Sequence, residues 1–205
     1  MQVNLNITGI PELKKKIESL TGSQMKSAMS MAINKTAAKG QSEITRAITE
    51  RYQIKTNEVR NSMSLRSSKP GTLQAEISIF GSTKKQGRSL NMIHFVEKKV
   101  TLAEGRKRAR KGTLNQLRFQ VIKGTGLKTI TGDPALKNGA FIGNKGRTVF
   151  QRIGKGRTPI KAVQVIGVGQ MFNFKPINAR VKKKIEDEFV VEMNRAVDGK
   201  LKGYL

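Results

Sequence analysis

The 205-residue sequence predicts an α+β fold: a single domain in which N-terminal helices and a long C-terminal helix pack on a mostly antiparallel sheet, with extended basic loops. Three observations predict it. Apolar residues recur at helical spacing towards both ends, period-two alternation fills the middle, and Gly-rich basic turns separate the alternating runs. Hydrophobic residues make up 37% of the chain, low but sufficient for a core at this length.

Taken in order, Val3, Leu5 and Ile7 alternate with polar residues as in a short half-buried strand. Gly9 and Pro11 close it and open a short helix over Pro11–Leu20. Thr21-Gly22-Ser23 breaks that helix, and a longer one fits Ser23–Tyr52. Its apolar stripe is Met25, Met29, Ala32, Ile33, Ala37, Ile44 and Ile48, and its small residues (Ala28, Ala32, Ala37, Ala38, Gly40, Ala47) permit close approach of another element. Thr56 can cap a further helix to about Met63, which closes a segment of one strand plus helices over 1–63. A strand-rich part spans 72–167. There Leu73, Ala75, Ile77 and Ile79 alternate. Leu117, Phe119 and Val121 pair with Leu127 and Ile130 across the Lys-Gly-Thr-Gly turn at 123–126. Val149–Ile153 and Pro159–Ile166 form a hairpin with the basic tip Gly154-Lys155-Gly156-Arg157. The stretches 81–91 and 104–116 read as long loops or arms. The last helix, over 175–198, starts near Pro176, carries Ile177, Val181, Ile185, Phe189, Met193 and Val197, and has Gly199 beyond its end.

The charge is large and uneven. Forty Lys+Arg against fourteen Asp+Glu leave +26 at neutral pH, and residues 105–185 hold twenty of the bases with one acid, Asp133. Concentrating like charge destabilises a fold unless a polyanion or an acidic neighbour lies opposite. No apolar run approaches the ~20 residues of a membrane span, and no signal-peptide pattern opens the sequence. A soluble, intracellularly made protein is expected.

Enzymatic chemistry is not expected. With no Cys and one His there is neither a thiolate nor a multi-His metal site, so no metal and no cofactor is expected. Glu97-Lys98-Lys99 resembles half of a nuclease site, yet no Asp precedes residue 133 to hold the metal. His94 lies in the apolar run Asn91–Val96 and reads as a core or interface residue. Gly143–Thr148 lacks phosphate-loop spacing.

Nucleic-acid contact without base reading is the chemistry the residues do support. Arg106, Lys107, Arg108, Arg110 and Lys111 are five bases in six positions, giving counterion-release affinity for phosphates. With no Trp, two Tyr and mostly core-type Phe, stacking platforms are lacking. A basic arm that meets an acidic protein surface is the equal alternative.

Ala140–Phe172 reads AFIGNKGRTVFQRIGKGRTPIKAVQVIGVGQMF. It resembles the tail-completion proteins of tailed bacteriophages, the minor tail protein Z family, whose C-terminal half carries a Val-Phe-x-Arg-x-Gly-Lys-x-Arg-x-Pro-Ile run and a Met-Phe pair before a closing helix. Here Gly167-Val168-Gly169-Gln170 stands where family members often have a Gly-Pro-Ser type turn. The resemblance implies a non-enzymatic virion structural protein at the head-proximal end of the tail, the head–tail junction. It implies a homo-oligomeric ring, usually sixfold, that contacts tail terminator, tail tube or neck proteins and the end of the genomic DNA, with no membrane and no small-molecule substrate. Matched residue by residue, Arg152, Lys155 and Arg157, with Arg147 beside them, are the expected contacts to DNA or a partner. Pro159 and Ile160 would fix and anchor the returning strand, and Met171 and Phe172 would pack the turn on the last helix. Arg152 also admits an internal role, capping a carboxylate such as Glu186. The rival function is a basic nucleic-acid-binding protein of ribosome- or nucleoid-associated type.

Overall fold

A computed structural model describes residue 18 and residues 20–80, 89–97, 117–129, 140–153 and 158–203. The expected strand at 3–7, nearly all of the helix over Pro11–Leu20, the arm 104–116 and the hairpin tip 154–157 lie outside the described residues.

Helix α1 spans Gly22–Arg51. Its start is set by Thr21 and Gln24: the Gln24 N–H donates to Thr21 Oγ1 (3.4 Å) and the Thr21 N–H donates back to Gln24 Oε1 (3.1 Å), a reciprocal cap that satisfies two otherwise orphaned donors. The short helix α2 covers Thr56–Asn61 and stops before Met63, which opens strand β1 (Met63–Arg66). The expected helix to Met63 is shortened because that residue takes up strand pairing. Strand β2 is Glu76–Ile79, the second half of the alternating run, antiparallel to β1 with Met63 opposite Ile79.

Strand β3, Ser89–Asn91, ends the stretch expected to be a loop over 81–91, because these three residues pair with a later strand. A 3-10 turn follows over Met92–Phe95. Strands β4 (Arg118–Phe119) and β5 (Lys128–Thr129) form a hairpin at the expected place but a shorter one, Arg118 opposite Thr129, with Gly124 and Gly126 supplying positive φ in its connection. Val121 and Leu127, expected to pair, lie in that connection, because the Val121 carbonyl accepts instead from the Gln53 N–H (2.9 Å). Strands β6 (Phe141–Gly143), β7 (Thr148–Arg152) and β8 (Ile160–Ala162) make a three-stranded antiparallel sheet. The run Pro159–Ile166 is not one strand. It breaks at Val163, and its second part, β9 (Gln164–Ile166), pairs with β3 instead. Val163 serves both partners, its N–H donating to Val149 O and its carbonyl accepting from the Met92 N–H, each at 2.9 Å. Helix α3 is Val168–Phe172 and helix α4 is Lys175–Leu201, with Pro176 in its first turn. Gly199 lies inside α4, two residues before its end.

The described strands thus form small antiparallel sheets in a mixed α+β chain. The chain divides into two compact units, crossing from one to the other after Ala47, Val59, Ile79 and Met171, so that neither is continuous in sequence.

The first unit is built on α1 and α4. Ala28 and Ala32 of α1 pack with Phe189, Met193, Ala196 and Val197 of α4, and all six apolar residues expected on the last helix are buried. Gly40 marks a close approach: a Cβ there would lie 3.0 Å from Ile185 Cγ1 and 3.4 Å from Ile77 Cδ1. Lys39 sits between two α4 carboxylates, donating to Glu188 Oε2 (2.6 Å) and Glu192 Oε1 (2.5 Å). Lys184 also reaches Glu188 and Arg195 reaches Glu192, each at 2.8 Å. Arg180 pairs with Glu43 at 2.7 Å. The hydrogen bonds from Lys184 and then Lys39 hold Glu188 down to about 2. The bond from Lys39 lowers Glu192, and those two carboxylates in turn raise Lys39. Glu192 is buried, a polar member of the core face kept charged by its partners. Asn34 clamps a loop in the same unit, its amide donating to Ser68 O (3.0 Å) while Oδ1 accepts from the Ser68 N–H (2.6 Å).

The second unit holds β3 to β9. The backbone after α1 joins it by an isolated bridge between Tyr52 and Ile122. Asn91 is its clamp. Its Oδ1 accepts from the Val149 N–H (2.8 Å) and the Ile93 N–H (3.0 Å), and its amide donates to Val149 O (3.4 Å). One side chain thereby fixes β3, the 3-10 turn and β7 together, which backbone ladders in sheets this short could not do.

Candidate partner and nucleic-acid interface

The three-stranded sheet of the second unit displays the predicted contact residues that are described. Its register sets Phe141 opposite Phe150 and Ile142 opposite Val149, and Phe150 opposite Ala162 and Arg152 opposite Ile160. Because side chains alternate across a strand, Ile142 and Val149 share one face and are buried there. Phe141, Phe150, Arg152 and Ile160 share the other.

That second face is a half-buried aromatic and cationic surface. The Phe141 and Phe150 rings lie 5.9 Å apart, tilted by 31°. Gly143 makes room for them, since a Cβ at that position would come within 3.0 Å of the Phe150 ring. Arg152, two residues along β7 from Phe150, places its guanidinium over the Phe141 ring at 5.4 Å, the diagonal reach expected between strands. Ile160 opens β8 but is 43% exposed, so this strand end is fixed by backbone pairing and not by a buried side chain. The Ile153 N–H donates to Pro159 O at 3.1 Å, and the Thr158–Pro159 bond is cis.

At the opposite end of the sheet, Asn144–Gly146 form a 3-10 turn in which Asn144, Lys145 and Gly146 all have positive φ. Two non-glycine residues in that region are uncommon, and Asn is the type that tolerates it best. The turn closes with the Arg147 N–H donating to Asn144 O (3.1 Å), and it leaves Lys145 and Arg147 exposed. Lys161, opposite Gln151, is exposed as well. Lys145 and Lys161 carry the same charge as the predicted residues. The alternation in 159–166 and the Gly-Asn-Lys-Gly run were the signals that could have marked them.

The other predicted contacts, Arg106, Lys107, Arg108, Arg110, Lys111, Lys155 and Arg157, lie outside the described residues. Met171 and Phe172 are buried at the end of α3. In the Gly167–Gln170 run, the Gly167 N–H donates to Gln170 Oε1 (3.0 Å), so Gln170 supplies the cap that starts α3. His94 Nδ1 lies 3.4 Å from Glu58 Oε1, and Glu97 is exposed at the edge of this unit. Among the described residues, no group of three or more His, Cys, Asp or Glu could hold a metal ion. Among the same residues, no helix is long and apolar enough to cross a membrane.

What this surface can do chemically is bounded by its donors. Lys and Arg side chains on short strands and turns meet phosphate or carboxylate oxygens through charge-assisted hydrogen bonds. The aromatic rings are partly covered by Arg152 and by each other, which leaves little flat surface for stacking a base.

The chain matches, over residues 7–205, the family model described as prophage minor tail protein Z. Neither a curated protein nor a solved structure matches it.

Proposed function

Because the chain belongs to the prophage minor tail protein Z family, a family of phage tail structural proteins, we propose that it completes the head-proximal end of the tail. In this reading identical copies form a ring, sixfold as in the expectation above, at the head–tail junction. The ring contacts tail terminator, tail tube or neck proteins and the end of the genomic DNA. The observation that carries the placement at the DNA end is the charge. Between Asp133 and Glu186 the sequence contains no acidic residue at all, and the described part of that stretch sets Lys145, Arg147 and Lys161 outward on one small sheet. A ring multiplies this field around its axis, which concentrates a polyanion there without reading its sequence. The role is structural, with binding and positioning in place of catalysis.

The test is genetic. A phage or prophage lacking this gene is complemented with the wild-type chain or with Lys155→Glu/Arg157→Glu, and the lysates are imaged. The double variant should leave separate heads and tails while its circular dichroism and thermal midpoint match wild type. Normal joining by a chain with both charges reversed would overturn the hairpin contact. The ring is read separately by mass photometry at low and high salt, with and without duplex DNA. Discrete rings that form without DNA support it. A monomer that binds duplex tightly at low salt and releases it steeply as salt rises would transfer the function to the basic nucleic-acid-binding reading.

A further inference from the structure

The outward face of α4 carries a feature that the core of the first unit does not use. Opposite the buried line Val181–Ile185–Phe189–Met193–Ala196, helical spacing aligns Lys183, Asp187, Val190, Val191, Asn194 and Asp198 along one stripe. Val190 and Val191 are 38% and 42% exposed. A β-branched residue has no intrinsic advantage on a solvated helix face, so two adjacent ones there are better explained by packing. Asp187 is exposed, and no hydrogen bond or ion pair holds its carboxylate among the described residues. The Asn194 amide donates to Val190 O (3.0 Å), which lays that side chain along the stripe beside the valines.

The order of charge along the stripe selects both the partner and its direction. Read from the N-terminal end it runs basic, acidic, apolar, apolar, polar, acidic. Two antiparallel copies centred between Val190 and Val191 bring Lys183 level with the partner's Asp198, Asp187 with the partner's Asn194, and the valines with each other. A parallel pair in register would set Lys183 on Lys183 and Asp187 on Asp187, which is repulsive. A nucleic acid would meet the Asp187 carboxylate one turn from the valines, which is also repulsive. We infer that this face is a self-complementary docking seam for a second copy of the chain, with the two α4 helices antiparallel about a two-fold axis near Val190–Val191. The contact is isologous, each copy offering the same patch. It does not rest on the ring reading, which needs a different, head-to-tail surface. From Lys183 to Asp198 the seam is about 23 Å long at ~1.5 Å per residue. Such a seam is about four turns of a single helix on each side, so the free pair is expected to be transient.

The chain has no cysteine, so introduced thiols report without background. Single variants Val190→Cys, Lys183→Cys and Asp198→Cys are made in the full chain and oxidised. Val190→Cys should give a covalent dimer, and a mixture of Lys183→Cys with Asp198→Cys should give one that neither gives alone. The two Lys183 positions would sit about 22 Å apart along the axis, far beyond the ~4.4–6.8 Å Cα separation of a disulfide. Adding Val191→Lys to Val190→Cys should abolish the dimer while the circular dichroism spectrum is retained. Self-linking of Lys183→Cys as strong as that of Val190→Cys, or no linked product from Val190→Cys, would overturn the seam. Ring assembly is counted independently by native mass, so failure of one reading leaves the other measurable.

Discussion

The two units solve the same problem, holding a strongly cationic chain together, by opposite means. The first pairs its charge: Lys39, Arg180, Lys184 and Arg195 each meet a carboxylate of the paired long helices, over a core of small residues against Phe189 and Met193. The second holds twenty-two Lys+Arg against five Asp+Glu, compared with eighteen against nine in the first. It includes the His94–Glu58 approach, and it relies on backbone ladders, the Asn91 clamp and the Val149 core. The contrast teaches that the acids are not spread to neutralise the chain. They are concentrated on the paired helices of the first unit, and the excess positive charge is left on the second.

The strongest way to break this comparison is to open the helical core. Phe189→Ala should cost about 3–5 kcal/mol, read by urea denaturation, with faster amide exchange in α1 and α4. If the amides of β7 lose protection by the same factor, the two units unfold as one and the contrast is of chemistry only. Next, Asn91→Ala removes three hydrogen bonds and orphans backbone groups around buried Val149, which should cost about 1–3 kcal/mol. Asn91→Asp keeps the acceptor and should cost less. The matching change Asn34→Ala sharpens the comparison, since its exchange signature should stay around Ser68.

A smaller effect is expected at Arg152. Arg152→Lys keeps the charge but loses the planar contact with Phe141, about 0.5–1 kcal/mol, and should leave salt-dependent DNA binding in place. The smallest is read along the pH axis. Glu188 ionises at about 2 in the fold instead of near 4.5. The stability it gives is therefore complete above about 4.5 and is lost as pH falls towards 2. Glu188→Gln should flatten that acid limb, measured as thermal midpoint against pH. An unchanged limb would mean that Lys39 and Lys184 do not hold this carboxylate in solution.

Helical elements were legible because their signal is repeated. Six apolar residues at i, i+4 spacing marked the buried face of α4, and the helix expected over Ser23–Tyr52 fell within one residue of the observed boundaries of α1 at each end. Strand pairing was legible only where a turn announced it, at 123–126 and around 154–157. It failed at Val163 because the seven residues from Ile160 to Ile166 are uniformly strand-like, and nothing local says that β8 and β9 have different partners. It failed at Ser89–Asn91 for the same reason, since that pairing is made with residues more than seventy positions away. Asn34 and Asn91 could not be found at all, because Asn in a sequence reads as a turn or cap residue before it reads as a clamp. Glu192 was hidden too: in a helix crowded with charge, only the position of Lys39 explains a buried carboxylate.

The interleaving of the two units also orders events in time. Lys39 and the helix that carries it are synthesised 149 residues before Glu188. At ~5–20 residues per second that is roughly 7–30 s. Throughout that interval the small-residue face of α1 has no α4 to close on, whereas every described strand of the second unit has been synthesised by Ile166. Nascent chains should therefore fold from the inside of the sequence outwards, with the cationic unit formed first on the ribosome. The helical unit would seal last, when α4 leaves the exit tunnel.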